Sequence, residues 1–188
     1  MPQLNHSMSI RIFSDGHSFP EQELAAQPHE PLVILYTPRT VLLPAHLYTV
    51  EEAERVLSLC GLPPKANECV VCSQEVEGMV AVMAIREELF SRLPASTRFT
   101  SPLLIAPQLS EGLWIHPCRG LLFIKLWLDG ELRLAEVVQA ASDDEILYYA
   151  LQLLRNSGRK RLSLHLQGNC SPALKKQLKR TFSPLLCE

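Results

Sequence analysis

The sequence predicts an α/β protein made of two small lobes, and two repeated features indicate this. Two stretches combine strand-like runs with Asp-Gly: SIRIFSDGHSF over residues 9–19 and LLFIKLWLDGELRLAEVV over residues 121–138. Asp-Gly between strand-like runs favours a β-hairpin, because the tight turn needs positive φ and glycine adopts it without steric cost. A capped helix follows each ribbon. We therefore expect a duplicated architecture, in which each lobe has a mixed sheet and covering helices.

The second ribbon is the stretch around which the chain is organised. Its incoming strand, Leu121–Leu128, is apolar on both faces apart from Lys125, which predicts that both faces are covered. Its outgoing strand alternates polar and apolar residues, as a half-buried strand does. We expect this ribbon at the centre of a sheet.

Helix starts are marked by capping residues. Thr49 with Glu52 and Ser142 with Glu145 have the spacing of a capping box, in which the side chains satisfy backbone N–H groups at the first turn. Pro172 fits the first position of a third helix, where its missing N–H costs nothing. These signals predict one capped helix in the first lobe and two helices in the second, and a further short helix is expected over Arg86–Leu93 in the first lobe, where Pro94 stops it.

The distribution of proline and glycine predicts where the lobes end. Residues 1–8 are expected to form a loose arm, residues 9–93 the first lobe and residues 113–188 the second. The connecting segment, residues 94–112, carries three prolines and one glycine among Ser and Thr. Within it, Leu103–Ala106 is apolar enough to suggest an added strand.

Composition excludes several classes of protein. Hydrophobic residues make up 47% of the 188 residues, enough for a core, and a net charge of −2 creates no overall attraction to nucleic acid or membranes. No apolar run approaches the roughly 20 residues of a membrane-spanning helix. The start MPQLNHSM lacks the features of a signal peptide, so we expect a cytoplasmic protein with six reduced cysteines.

One region has a strongly biased charge. Residues 155–180 contain eight Lys or Arg and no carboxylate, although the chain as a whole is slightly acidic. A solvated helix face explains this, because cations stabilise the end of a helix. An acidic protein partner is a second explanation. Nucleic acid is a third and less favoured one, since only Phe182 supplies an aromatic side chain nearby.

Other reactive residues favour structural roles. Cys69 and Cys72 form a CxxC, but in a predicted strand positions three apart point to opposite faces, which is unsuited to redox or zinc chemistry. His116 and Cys118 have no third group to orient them as base and nucleophile. We therefore expect no catalytic residue.

A metal site is not expected either. Asp143, Asp144 and Glu145 are possible ligands, yet carboxylates are also favoured in the first turn of a helix, where the dipole is positive. The histidines His17, His46 and His165 are too dispersed for a metal-binding pattern.

Several of these stretches together resemble a known family. LWLDGELRLAEVVQAASDDEILYYALQLL followed by RLSLHLQG, with SIRIFSDGHSF and VILYTPRTVLLPAHLYTVEEAERVL earlier, is similar to an uncharacterised bacterial family of unknown function. That family has a degenerate actin-like ATPase fold of ribonuclease H-like lobes. The resemblance extends from about Ser9 to about Arg180 and implies this duplicated fold here. Fold relatives include a scaffold protein of type IV pilus assembly.

The resemblance also implies where a nucleotide would bind. The first phosphate loop of the superfamily corresponds to residues 14–18, the second to residues 117–120 and the adenosine loop to residues 166–170. Such loops use glycine because the backbone must approach the phosphates closely. The second loop here lacks an acid, and the adenosine loop has one glycine instead of two. The residues implied by the resemblance are Asp15, Gly16, His17, Ser18, Gly120 and Gly168.

These observations favour a non-catalytic scaffold or protein-binding module that uses a degenerate actin-like fold, with a partner that the sequence does not identify. The alternative is a nucleotide-binding protein with weak or no ATPase activity, for which ATP and Mg²⁺ would be residual cofactors. A nucleic-acid accessory factor acting through the basic segment is less favoured. We expect no cofactor in the first case.

Overall fold

The computed structural model describes residues 9–13 and 31–187, and the chain divides into two compact units between Ile105 and Ala106. This division falls inside the segment 94–112 that the sequence predicts as a connection. The lobe limits themselves stay a prediction. Each unit has its own sheets and its own hydrophobic core.

The first unit contains six described strands, three short α-helices and two 3-10 turns, Ala45–Leu47 and Val50–Glu52. Its helices are α1 (Ala53–Leu59), α2 (Glu87–Phe90) and α3 (Pro102–Ile105). Its strands are β1 (Ser9–Phe13), β2 (Leu32–Tyr36), β3 (Thr40–Pro44), β4 (Glu68–Cys72), β5 (Met79–Arg86) and β6 (Arg98–Thr100). Strands β1, β2 and β6 form a parallel sheet, and β3, β5 and β4 form an antiparallel one.

Strand β5 is the centre of the antiparallel sheet, and its sequence explains this position. Its residues are apolar without alternation, as expected for a strand covered on both faces. Met83 and Ile85 face one apolar cluster, whereas Val82 and Ala84 face another. A two-residue turn with Gly78 at φ +76 joins β5 to the segment after β4.

The second unit has one five-stranded sheet with two helices. Its elements are β7 (Gly112–Cys118), β8 (Leu121–Leu128), β9 (Glu131–Gln139), α4 (Asp143–Asn156), β10 (Leu164–Leu166), α5 (Pro172–Thr181) and β11 (Leu185–Cys187). The strand order is β11-β10-β7-β8-β9. Strands β7, β8 and β9 form an antiparallel meander, whereas β10 and β11 are added parallel to β7.

The core of this unit lies between the sheet and the two helices. It combines one face of β8 with the inward faces of α4 and α5: Leu122, Ile124, Leu126, Ile146, Ala150, Leu154, Leu174 and Leu178. The opposite face of β8 is buried as well, including Lys125, which is 6% exposed and lies 4.6 Å from the centre of the Trp127 ring. The prediction that both faces of β8 are covered is confirmed.

The structure corrects the predicted position of the ribbon. The turn at Asp129 and Gly130 is present, with φ of 56° and 78°. However, β9 is an edge strand and β7 is the central one. The reason is the crossover through α4, which carries the chain past β8 and β7 before β10 pairs with β7. The ribbon itself therefore ends the sheet on one side.

Two other local predictions are wrong. Thr49 forms no capping box, because a 3-10 turn comes first and the Glu52 N–H donates to the Thr49 carbonyl, at 3.2 Å, instead of the Thr49 side chain. The segment Leu103–Ala106 is not a strand. Its first residues belong to α3, whose start is marked by Pro102 and by the Ser101 hydroxyl accepting from the Leu103 N–H at 3.2 Å.

The predicted duplication of the two lobes is not confirmed. The second unit begins with an antiparallel meander, whereas in the described part of the first unit β1 pairs in parallel with β2. The first predicted Asp-Gly turn, at Asp15 and Gly16, lies outside the described residues.

Candidate functional site

The residues implied for nucleotide binding divide between described and undescribed parts of the chain. Asp15, Gly16, His17 and Ser18 lie outside the described residues. Gly120 follows β7 and Gly168 follows β10, and these neighbouring strands run parallel with Ile115 opposite Leu166. The carboxyl ends of parallel neighbours meet at the same edge of a sheet. The two loops therefore lie at one edge of the second unit, which we call the carboxyl edge.

Gly168 is required because the chain passes close to β7. Its φ is +97°, and a Cβ placed on it would lie 3.0 Å from Nδ1 of His116 and 3.2 Å from the carbonyl oxygen of Pro117. The His116 Nδ1 lies 3.0 Å from the Gln167 carbonyl oxygen, so the tautomer with hydrogen on Nδ1 donates to it. The close approach that glycine permits here is thus to the protein's own histidine.

Both the side chain and the backbone of Gln167 bind the loop after β10 to β7. Its Oε1 accepts from the Trp114 indole N–H at 3.2 Å, and its backbone N–H donates to the Ile115 carbonyl at 3.0 Å. The His116 ring in turn stacks on Trp114, with ring centres 5.9 Å apart. The loop after β10 is held against its own sheet on several sides.

Gly120 belongs to a tight turn. Arg119 has φ +47° and Gly120 has φ +76°, so β7 and β8 are joined by a two-residue turn with both residues in the left-handed region. The Gly120 carbonyl accepts from the Ala140 N–H at 2.9 Å. No atom lies within 4 Å of a Cβ placed on Gly120, so glycine serves the backbone conformation here. A turn this short presents few N–H groups with which to surround a phosphate.

A carboxylate of the chain lies at the start of α5. The Ser171 hydroxyl accepts from the Leu174 N–H at 3.0 Å and donates to the carboxylate of Asp143. Asp143 is the first residue of α4, so the positive ends of both helices favour its charge. An anion approaching this helix start would be repelled by that carboxylate.

A carboxylate of the chain also accepts backbone hydrogen bonds at the start of α4. Glu145 accepts from the Ala141 N–H at 2.7 Å and from the Ser142 N–H at 3.0 Å, and these hydrogen bonds hold the pKa of its carboxyl below the usual value. The Glu145 N–H donates to the Ser142 hydroxyl, which completes the predicted capping box. Asp143 and Glu145 are therefore helix-start residues, as the sequence suggests.

The two cysteines of the CxxC pack as structural residues. Cys69 packs with one apolar cluster and Cys72 with the other, on opposite faces of β4, which confirms the interpretation of the CxxC. Burial raises the pKa of both thiols, and the Tyr48 hydroxyl donates to the Cys72 sulfur at 2.6 Å. Among the described residues, no three His, Cys, Asp or Glu side chains are grouped so as to hold a metal ion.

The basic segment has a definite location that the sequence does not reveal. Because β9, β7 and β10 run parallel, α4 and α5 both start at the carboxyl edge and both end at the opposite one, which we call the amino edge. The last turns of both helices and the loop after α4 bring cations to that amino edge: Arg155, Arg159, Lys160, Arg161, Lys179 and Arg180. The cations thus lie away from both nucleotide-loop positions.

Comparison with known proteins shows the fold. No protein-family model matches the chain, and no curated protein is significantly similar to it. The chain has an actin-like ATPase fold, which confirms the predicted α/β fold class and the resemblance in fold stated above, but not the duplication of the lobes. Within the described residues, no helix is both long and apolar enough to cross a membrane.

One solved structure with this fold is a Bacteroides thetaiotaomicron protein "with actin-like ATPase fold and unknown function". It is 20% identical, has a TM-score of 0.69, and the match covers 85% of this chain and 68% of that one. A second match is the cytoplasmic domain of EpsL, an inner membrane component of the type II secretion system of Vibrio cholerae. It is 13% identical, with a TM-score of 0.43 and coverage of 84% of this chain and 79% of that one.

Proposed function

We propose that this protein is a non-catalytic, protein-binding module on a degenerate actin-like ATPase fold. The observation that carries the proposal is the hydrogen bond from Ser171 to the Asp143 carboxylate at the start of α5. In the fold, the helix after the adenosine loop begins here, and this helix start now holds an anion of the chain itself. This carboxylate already neutralises the positive end of the helix, and it repels the phosphates of a nucleotide that approaches this edge of the sheet.

The glycines support the same proposal. Phosphoryl transfer depends on several fixed donors and Mg²⁺ around the phosphates. Gly168 packs against His116, and the turn at Gly120 is only two residues long. Neither position supplies an extended row of N–H groups. All six cysteines are free thiols, which suits a reducing compartment, and a cytoplasmic location is part of the proposal.

Nucleotide binding is the competing function. One observation favours it: the loops after β7 and β10 lie at the same edge of the sheet, where the fold would place a nucleotide. Weak binding of ATP without turnover is what this alternative predicts. The two functions differ in whether Mg-ATP stabilises the folded protein.

Thermal unfolding with Mg-ATP, Mg-ADP and Mg-GTP tests the proposal. A ligand present at about 100 times its Kd stabilises a protein by about 2.7 kcal/mol, which raises the Tm of a chain of this size by roughly 5–10 °C. We expect no such shift and no release of phosphate above the buffer. A shift of that order, abolished by Asp15→Ala, would overturn the proposal in favour of nucleotide binding.

A matched pair of variants tests the reason given for the absence of binding. Asp143→Asn removes the carboxylate at the start of α5, whereas Asp144→Asn removes an exposed neighbouring carboxylate of the same helix turn. We expect inorganic phosphate to stabilise Asp143→Asn more than Asp144→Asn. Equal responses of the two variants would show that Asp143 does not control anions at this helix start.

A further inference from the structure

The cations at the amino edge differ in whether they are already neutralised. The Arg159 guanidinium contacts two carboxylates, with Nη2 at 2.5 Å from Asp129 and Nε at 3.0 Å from Glu111. Glu131, also near this edge, pairs with Arg133 at 2.8 Å. In contrast, no ion pair within the described residues neutralises the exposed cations of the same edge or the exposed Lys176 midway along α5. These amino-edge cations are Arg155, Lys160, Arg161, Lys179 and Arg180. The carboxylates of Asp129, Glu111 and Glu131 are therefore already paired, and the exposed cations form a surface of uncompensated positive charge.

Apolar side chains adjoin this cationic surface on α4. Tyr148 is 61% exposed and Leu151 is 38% exposed, although α4 also has a complete buried face. Residues three or four apart in a helix are neighbours on its surface, so Tyr148, Leu151 and Arg155 form one exposed stripe. Tyr and Arg are enriched in protein interfaces, and here they stand beside an exposed Leu.

The two helices place these features side by side. Ser171 at the start of α5 donates a hydrogen bond to Asp143 at the start of α4, and both helices pack on the same core, so they lie next to each other. Tyr148, Leu151 and Arg155 are exposed on α4. On α5, Leu174 and Leu178 are buried, so Lys176 and Arg180, each two residues further along, point outward. We call the surface formed by Tyr148, Leu151, Arg155, Lys176 and Arg180 the basic helical face.

We infer that the basic helical face binds an acidic, amphipathic segment of a partner protein. Carboxylates of such a segment would pair with Arg155, Lys176 and Arg180, while its apolar side chains would cover Tyr148 and Leu151. This inference rests on the proposed protein-binding function and names the chemistry of the partner. It also places binding on the outer face of the helices, not at the carboxyl edge where the nucleotide-loop positions lie.

Nucleic acid fits this face less well. Binding to phosphates would use the cations but would leave Tyr148 and Leu151 without a matching apolar group. Single-stranded nucleic acid is usually held by aromatic side chains that stack on successive bases, and Tyr148 is the one exposed aromatic of the described part of this face. An acidic amphipathic segment satisfies both the charge and the apolar surface.

Fluorescence anisotropy with the full chain tests the inference. The probe is a fluorescein-labelled 18-residue peptide in which Glu and Leu alternate at helical spacing, compared with a peptide of identical composition whose order breaks that spacing. Oligodeoxythymidylate of 18 nucleotides is the third probe. We expect the amphipathic peptide to bind at least about fivefold more tightly than the permuted peptide or the oligonucleotide. We also expect its affinity to fall as the salt concentration rises.

Charge reversals and one apolar change locate the binding. Lys176→Glu and Arg180→Glu should each lower the affinity for the amphipathic peptide by about five- to tenfold. Leu151→Ser should lower this affinity by about threefold or more. Lys65→Glu, an equal charge change at an exposed lysine of the first unit, should leave the affinity unaltered. Circular dichroism checks that each variant keeps the helix content of the parent.

Four results would overturn the inference: no binding of the amphipathic peptide at about 100 μM protein, equal binding of the permuted peptide, tighter binding of the oligonucleotide, or equal loss with Lys65→Glu. The outcome is separable from that of the nucleotide experiment. A protein that binds Mg-ATP contradicts the proposed function whatever the peptide does, whereas failure of the peptide alone contradicts only the identity of the partner.

Discussion

Asp129 and Arg159 join two parts of the second unit that are separated in the sequence by β9 and α4. The Arg159 Nη2 lies 2.5 Å from Oδ1 of Asp129 in the turn between β8 and β9. The same guanidinium contacts Glu111 just before β7, and the Gly130 N–H donates to the Ser110 carbonyl at 2.8 Å. One arginine therefore connects the hairpin turn, the start of β7 and the loop after α4.

We predict that the backbone of Asp129 matters more than its charge. Asp129 has φ +56°, which Asn tolerates and a β-branched residue does not. Asp129→Asn should lower the free energy of unfolding by less than about 1 kcal/mol, as exposed ion pairs do. Asp129→Val should cost about 1–2 kcal/mol more, because it adds strain at positive φ. Urea denaturation measures both, and a greater loss for Asn than for Val would contradict this account.

Leu126 is predicted to be a major stabilising residue of the second unit. It is 6% exposed and belongs to the core between the sheet and the helices. Leu126→Ala should lower the free energy of unfolding by about 2–5 kcal/mol, since it removes buried methyl groups and leaves a cavity. Leu186→Ala, at an exposed position of β11, is the matched control and should cost less than about 0.5 kcal/mol. Similar losses for the two would show that β8 does not lie in the core.

Two glycines at the carboxyl edge should respond differently to alanine. Both have positive φ, so alanine introduces backbone strain of about 1–2 kcal/mol at either position. At Gly168 the added methyl group would also press on the His116 ring, whereas at Gly120 it meets open space. We expect Gly168→Ala to lower the urea midpoint more than Gly120→Ala. The reverse order would mean that the loop after β10 can move away from β7.

The capping carboxylate of α4 predicts an acid dependence of stability. Hydrogen bonds from Ala141 and Ser142 hold the pKa of Glu145 below its usual value of about 4.3. Its contribution is therefore complete above that usual value and is lost as the pH falls through the lowered pKa of the folded state. Glu145→Gln should show a smaller loss of stability between pH 6 and pH 3 than the parent protein. Identical pH profiles, measured by thermal unfolding, would exclude Glu145 as a contributor.

The fold could be predicted from the sequence where local signals and tertiary packing agree. The turn at Asp129, the capping box at Ser142 and Glu145, and the start of α5 at Pro172 depend on residues close in sequence, and all are present. The position of the ribbon in the sheet could not be predicted, because it depends on where β10 docks after a crossover. The capping box predicted at Thr49 and Glu52 was wrong for a different reason, since the same residue types begin a 3-10 turn and an α-helix.

The candidate site was predictable only in outline. The resemblance pointed to Gly120 and Gly168, and both lie at one edge of the sheet. The contact between Ser171 and Asp143 gives no signal in the sequence, since the two residues belong to different helices and both have ordinary roles as helix-start residues. The exposed stripe of Tyr148 and Leu151 was also missed, because apolar residues of a helix are by default assigned to its buried face.

The strand order has a consequence for how the second unit acquires its structure. Pairing of β7, β8 and β9 joins residues that are neighbours along the chain, whereas β10 reaches β7 only after α4 has formed a crossover. Contacts between distant residues close more slowly, because a long loop must first be ordered. During refolding, amides of β8 should therefore gain protection from pulsed hydrogen exchange before those of β10. Simultaneous protection would indicate that the helices and the meander condense in a single step.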